Sequence, residues 1–268
     1  MPAPPSPTAN GTYRQKTMLA PERQKQILQK LESRGQVLVQ DLVRELGVSE
    51  DTIRRDLKEL ASAGLLKKVH GGAIAASTVP YAHSERRRLN REAKAAMALK
   101  ATQFIQNGML IFMDGGTTTL EVAPHLKARS LENVTVVTHS PVMAQSLSEI
   151  AGLEVFLLGG KLIKDLLIAV GPNSLKEASR FRPDLSIVSA HGMSAAAGAT
   201  VESGEDAAVK RQFIENSAET LVLAGHEKIG FVASFQIAAL DEISYLITDE
   251  VKDLSLFNHG NLTVLACE

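Results

Sequence analysis

Residues 48–73, VSEDTIRRDLKELASAGLLKKVHGGA, constrain the fold more than any other part of the chain. Ser49 stands where a hydroxyl can cap the first free amide groups of a helix. Ile53, Leu57 and Leu60 then recur at i, i+4 and i+7, which is one buried stripe of a helix. Asp51, Arg54, Arg55 and Lys58 therefore project from its other faces, and Gly64 is the expected stop. Residues 65–69 and 72–75 alternate as two short strands turning near His70-Gly71-Gly72. A short helix with exposed basic side chains, followed at once by a basic hairpin, is a shape that enters a DNA groove and is steadied by phosphates.

The upstream pattern completes this unit. Pro21 occupies a first-turn position, and Ile27, Leu28 and Leu31 follow at helical spacing until Arg34-Gly35. A second helix is expected over residues 39–46 with Leu42, Val43 and Leu46 inward, and Gly47 lets the chain reverse into Val48 and Ser49. Three helices and a hairpin within residues 19–75 predict a winged helix-turn-helix domain. Four prolines within the first seven residues and no apolar periodicity predict a disordered tail over residues 1–18.

Net charge is −1, but it divides unevenly. Residues 1–92 hold 16 Lys and Arg against 10 Asp and Glu, whereas residues 93–268 hold 13 against 20. Only the front of the chain is suited to a polyanion. The expected contacts to double-stranded operator DNA are Ser49, Thr52, Arg54, Arg55 and Lys58 on the helix, with Lys67, Lys68 and His70 on the wing. Arginine matters most among these, because its planar fork matches a guanine edge or a phosphate.

Residues 76–90 read as a polar, Arg-rich linker containing Arg86, Arg87 and Arg88. A long helix is expected next, over residues 92–107, with Met97, Ala101, Phe104 and Ile105 on one face. Apolar runs at 110–113, 134–138, 155–158, 185–189, 221–224 and 245–248 then alternate with helical stretches. Buried strands separated by helices predict an α/β domain with a largely parallel sheet over residues 91–268. Asp114-Gly115-Gly116-Thr117-Thr118-Thr119 follows the first of these strands and is expected to open a helix, a setting that favours an anion. Loops at Thr138-His139-Ser140 and Gly159-Gly160-Lys161 leave later strands and are expected to share one crevice with it. Lys161, Lys210 and Lys228 are the candidate cations there, and His139, His191 and His226 the candidate readers of ligand hydroxyls.

The single cysteine, Cys267, excludes an internal disulfide and a thiolate metal cage, and no metal or other cofactor is expected. No apolar run reaches the roughly 18 residues of a membrane span, and the start does not resemble a secretory signal. A cytoplasmic protein is expected.

The stretch ERQKQILQKLESRGQV with DLVRELGVSEDTIRRDLKELASAGLLKKVHGGA closely resembles the DNA-binding domain of the DeoR family of bacterial sugar-catabolism regulators. The rear is similar to that family's effector domain through IFMDGGTTTLEVAPHL, VVTHS, FLLGGKL, AVGPNS, GEDAAVKR, AGHEKIG and LITDE. The resemblance implies a fold related to ribose-5-phosphate isomerase and CoA transferases, a phosphorylated-sugar effector at residues 114–119, and supporting contacts from the lysines. The chain departs from the family pattern at Thr138-His139, at Ser189-Ala190-His191-Gly192-Met193 and at Gly225 ahead of Lys228. The expectation is a transcriptional regulator, most simply a repressor of a carbohydrate operon acting as a homo-oligomer, dimer or tetramer. The competing expectation is a phosphosugar isomerase-like or acyl-transfer enzyme with an accessory DNA-binding domain.

Overall fold

The computed structural model describes residues 18–34, 36–63, 65–75, 83–250, 257 and 261–267. The expected tail (Met18 aside), the stop at Gly64 and residues 76–82 of the expected linker lie outside them.

The front domain runs α1 (Ala20–Arg34), β1 (Gln36–Leu38), α2 (Val39–Leu46), α3 (Glu50–Ser62), β2 (Leu66–Val69) and β3 (Gly72–Ala75). Ile27, Leu31, Leu42, Ile53, Leu57 and Leu60 form its core, closed by Leu66 and Ala73 of the hairpin. Burial of these side chains, each worth about 1.5–3 kcal/mol, offsets the poor intrinsic stability of such short helices. Gly47 ends α2 in the left-handed region at φ 64°, where its amide donates to Val43 O. The wing has one more strand than its sequence pattern suggests, because β1 joins it antiparallel in the order β1-β3-β2. Three residues are too few to register as a period. The close approach requires Gly72, where a Cβ would lie 2.1 Å from Val37 O.

The expected linker is partly helical. α4 (His83–Arg88) is followed by a turn in which Asn90 takes φ 50°, and then by α5 (Arg91–Ala101). The long helix predicted to residue 107 therefore ends sooner, in a single tight turn over Thr102–Phe104. Thr102 turns its hydroxyl back onto Leu99 O, a bond that competes with continued helix.

The rear domain continues with β4 (Leu110–Met113), α6 (Val122–Leu126), β5 (Val134–Thr138), α7 (Pro141–Leu147), β6 (Leu153–Leu157), β7 (Lys161–Ile163), β8 (Ile168–Val170), α8 (Pro172–Ala178) and β9 (Leu185–Ser189). It ends with β10 (Gly192–Ser194), β11 (Gly198–Val201), α9 (Gly204–Asn216), β12 (Glu219–Leu223), β13 (Phe235–Ala238), β14 (Tyr245–Thr248) and β15 (Thr263–Ala266). Seven strands form one parallel sheet in the order β15-β14-β12-β9-β4-β5-β6. Alternate residues feed two cores. Phe112, Val188, Val222 and Leu246 point to one face, and Ile111, Met113, Ile187, Leu221 and Leu223 to the other. Both faces are buried, which is why these strands read as unbroken apolar runs.

From β4 the chain winds outward through β5 to β6, then returns to place β9 on the other side of β4. The order of winding thus reverses between β4 and β9, and a crevice opens at the carboxyl ends of strands at such a reversal. Asp114 follows β4 and Ser189 ends β9, so the fold brings both to that point. The hairpin β7-β8 and the antiparallel sheet β10-β11-β13 lie beyond the sequence reading, their strands being too short to carry a pattern.

Candidate functional site

The front domain presents the cations of α3 and the wing outward. Ser49 caps α3 by accepting from Thr52 N at 3.3 Å, and the two hydroxyls lie 2.8 Å apart. Arg55, Lys58 and Lys68 are exposed, and Arg54 is exposed but paired with Glu50 one turn back, Nε to Oε1 2.7 Å. Lys67 and His70 are on the wing as expected, yet they also face the rear domain: Lys67 Nζ is 4.0 Å from Glu202 Oε2, and His70 pairs as an antiparallel bridge with Val232. Asp56 turns the other way. It is 2% exposed and is gripped by Arg23 through both oxygens, with Nη2 3.0 Å from Oδ1.

In the rear domain the charges are inside. Asp114 is fully buried. Its Oδ1 accepts from Gly116 N at 3.1 Å, and its Oδ2 from Ser189 N at 2.9 Å and Ser189 Oγ at 3.0 Å. Lys210, rising from α9, sets Nζ 2.7 Å from Asp114 Oδ2 and 3.2 Å from Asp206 Oδ2, and donates to Ser189 O at 3.0 Å. His139 stands 3.3 Å from Asp206 Oδ1 and stacks on Phe112, which in turn stacks on Phe213. Burial alone would raise the two carboxyls, but Lys210 outweighs it and holds Asp114 and Asp206 below the usual carboxylate range. Burial likewise pulls Lys210 down, and the same two carboxylates more than reverse this.

Around this anchored core lie cations with less compensation. Burial lowers Lys228, Glu227 partly offsets this, and Lys210 and Arg86 push it further down. Burial brings Lys94 down to about 8, with Lys228 and Arg86 acting in the same sense. Arg86 is lowered by burial while Asp206, Asp165 and Asp114 draw it back. It donates Nη2 to Asp165 O at 3.0 Å, and its buried Nε has no acceptor among the described residues. His83 is lowered by burial and by Arg86, and its Nε2 is also unpartnered among the described residues. His191 is held down to about 3 by burial and by Lys228, Lys210 and Arg86. It therefore stays neutral, and its Nδ1 accepts from Glu202 N at 3.3 Å.

Of the sequence candidates, Asp114, Gly115, Gly116, Thr117, Thr118, Thr119, His139, Lys210 and Lys228 gather at the β4/β9 reversal, although His139 lies in the core rather than on a rim. Lys161 does not join them. It is exposed on β7 and pairs with Glu205 at 3.2 Å. The loop after β4 does not open a long helix, since a tight turn over Thr119–Glu121 leads into the five residues of α6. The glycines of the loop answer to packing: a Cβ on Gly116 would lie 1.7 Å from Ser189 Oγ, and one on Gly115 would lie 2.4 Å from Ile168 Cγ2. His226 sits apart, bonded to Asp249 with Nδ1 to Oδ2 2.9 Å. With Glu227 those two residues bring three ligand-type atoms within 4.8 Å of one another, a partly exposed group with no spacing signature in the sequence. Arg86, Lys94 and His83 are not among the sequence candidates because they belong to stretches that read as solvated linker and helix. The available cue is the triple arginine beside a chain otherwise acidic from residue 93 onward.

A winged helix-turn-helix joined to a larger α/β domain is the architecture of a DNA-binding regulator with a separate sensor domain. Residues 23–79 match the DeoR-like helix-turn-helix domain, and residues 89–250 match the DeoR C terminal sensor domain. The transcriptional regulator GlpR of Haloferax volcanii is 33% identical over 238 residues, 88% of this chain and 92% of that protein. The transcriptional repressor GlcR of Bacillus subtilis is 33% identical over 236 residues, covering 87% and 90%. The glycerol-3-phosphate regulon repressor of Escherichia coli is 30% identical over 236 residues, covering 88% and 93%. Among solved structures, a D-ribose-5-phosphate isomerase in complex with phospho-erythronic acid aligns over 52% of this chain and 54% of that chain, at 16% identity and a TM-score of 0.39. The chain belongs to the DeoR family, and it is a DNA-binding transcriptional regulator rather than an enzyme. No helix among the described residues is long and apolar enough to cross a membrane.

Proposed function

We propose that the crevice at the β4/β9 reversal binds a phosphorylated sugar or polyol, and that this ligand controls repression of a carbohydrate-utilisation operon. The carrying observation is the arrangement of cations around Asp114 and Asp206. Lys210 is neutralised by these two carboxylates, whereas Arg86, Lys94 and Lys228 are drawn out of solvent with less compensation. A phosphate dianion is the ligand such a surplus favours, since it supplies several acceptors and two charges at once. Asp114, bonded to the Gly116 amide, to Ser189 and to Lys210, shapes the loop and orients Lys210. Thr117 and Thr118 supply hydroxyls from the same loop.

Specific DNA binding in this reading comes from α3, with Arg55 at a base edge and Ser49, Thr52, Lys58 and Lys68 on phosphates. Two such domains from a homo-oligomer would span an operator of repeated half-sites, in the cytoplasm. The test is operator binding by the full chain, titrated with sugar and polyol phosphates and with their unphosphorylated counterparts. A shift of operator affinity by one phosphorylated compound, and by none of the neutral ones, is expected. Indifference to the whole phosphorylated panel would remove the crevice from the regulatory role.

A further inference from the structure

Residues 226–232 form a strap with two faces. Toward the crevice it presents Lys228, which feels the charges of Lys210 and Arg86. The strap is tied down within the rear domain, with Gly230 N donating to Met193 O at 2.7 Å and His226 held by Asp249. Its other face receives the wing. Gln36 Nε2 donates to Glu227 O, Val232 pairs with His70, and Gly230 lies beside Leu38, where a Cβ would make an ordinary contact at 3.5 Å from Cδ1. On the flank, Lys67 approaches Glu202 at 4.0 Å.

We propose that this docking is an autoinhibitory contact: the strap holds the wing tip at His70 and Gly71 away from DNA, and the ligand in the crevice strengthens the hold through Lys228. The proposal rests on the effector reading above for its control, though not for the contact itself. A wing that follows the DNA backbone needs its tip free, and it cannot lie against a duplex while His70 is paired with Val232. Glu202, 4.0 Å from Lys67, would also repel phosphates brought to the docked wing. Without an anion, the mutual repulsion of Lys228, Lys210 and Arg86 works against the ties that Met193 and Asp249 give the strap. An anion relieves that repulsion and fixes the strap in the geometry that receives the wing. The ligand shifts the balance only by its differential affinity for the docked and undocked forms. The docking surface is small, one side-chain bond, one bridge and one long ion contact among the described residues, which suits a contact that must open.

The experiment uses the full chain with Cys267→Ser, His70→Cys and Val232→Cys. Antiparallel bridge partners lie within the span a disulfide closes. Oxidised protein is expected to bind operator at least tenfold more weakly than the same protein after reduction. Equal affinities, or failure of the two cysteines to join under oxidant, would overturn the proposal. A second variant, Gln36→Ala, is expected to shrink the operator-affinity difference produced by saturating inorganic phosphate, and an undiminished difference would also overturn it. If wild type ignores the whole panel of phosphorylated sugars and polyols while oxidation still blocks operator binding, the effector reading fails and the docked wing stands.

Discussion

Each domain buries a carboxylate beside a cation, and the two burials are built to different ends. In the front domain Arg23 meets Asp56 through both oxygens, Gln24 adds a contact at 3.4 Å, and Met18 O takes another of the arginine's protons at 3.0 Å. That pair is closed: it pins α1 to the recognition helix and turns Asp56 away from DNA. In the rear domain Lys210 joins Asp114 to Asp206, but the surroundings are left open, with Arg86 Nε and His83 Nε2 lacking acceptors among the described residues. A buried ion pair whose bonds are complete works as a staple, and one bordered by unpartnered polar nitrogens is the arrangement that the proposed effector reading calls on. The exposed cations of α3 are a third arrangement, suited to a large polyanion reached through water.

The comparison breaks most visibly if each buried cation is removed. Arg23→Met strands Asp56 and Lys210→Met strands both Asp114 and Asp206, and each is expected to lower stability by about 3–5 kcal/mol in chemical denaturation. The two variants part in function: Lys210→Met should lose the effector response, whereas Arg23→Met, at a temperature where it stays folded, should keep phosphosugar binding. A loss below about 1 kcal/mol in either would show that the pair contributes little. Next in size, Arg55→Ala is expected to weaken specific operator binding by about 1–3 kcal/mol without changing affinity for the phosphosugar. An unchanged operator affinity would exclude Arg55 from base contact.

The pH dependence is comparable or smaller. Burial brings Lys94 down to about 8, so its charge is complete well below that pH and declines through it. Phosphosugar affinity should hold up to about pH 8 and then fall by up to about tenfold per pH unit, a fall that Lys94→Met should flatten. Folding stability depends on the same group in its own way. The unfolded chain keeps its lysine proton up to 10.5, so the depressed group costs stability below pH 8, and stability rises between 8 and 10.5. Parallel trends in the two measurements would separate Lys94 from the ligand. The smallest effect is expected of Lys58→Ala, which should reduce the salt slope of operator binding by about one counterion and leave sequence preference unchanged.

The front domain is nearly all legible in the sequence because local rules decide it. Ser49 caps, Ile53, Leu57 and Leu60 face inward, and Gly47 reverses the chain, each within a few residues of its cause. Two features there escape a local reading: β1, which exists only because β3 is beside it, and the inward turn of Asp56, which needs Arg23 from 33 positions away. The parallel strands of the rear domain are legible as apolar runs, and the loop at 114–119 by its glycines and threonines. The crevice is only partly so. Lys210 and Asp206 meet as an i, i+4 pair on α9, but their union with Asp114 and His139 depends on the order of strands, which no local pattern encodes. Arg86 is hidden for the same reason: a linker is read as solvent-facing until the fold shows what it lies across.

Gly116 bears on how such a regulator can acquire a new ligand. A side chain there meets Ser189 Oγ, and Ser189 holds Asp114, so no single replacement at 116 leaves the Asp114–Ser189 cluster intact. In a library selected for a response to a different inducer, positions 116 and 189 should vanish from the accepted changes or appear only together. Diversification is left to the periphery, at residues such as His83, Arg86, His191 and Lys228. If the proposed effector is right, lineages descending from this chain should therefore differ in which sugar they recognise far more readily than in whether they demand an anion.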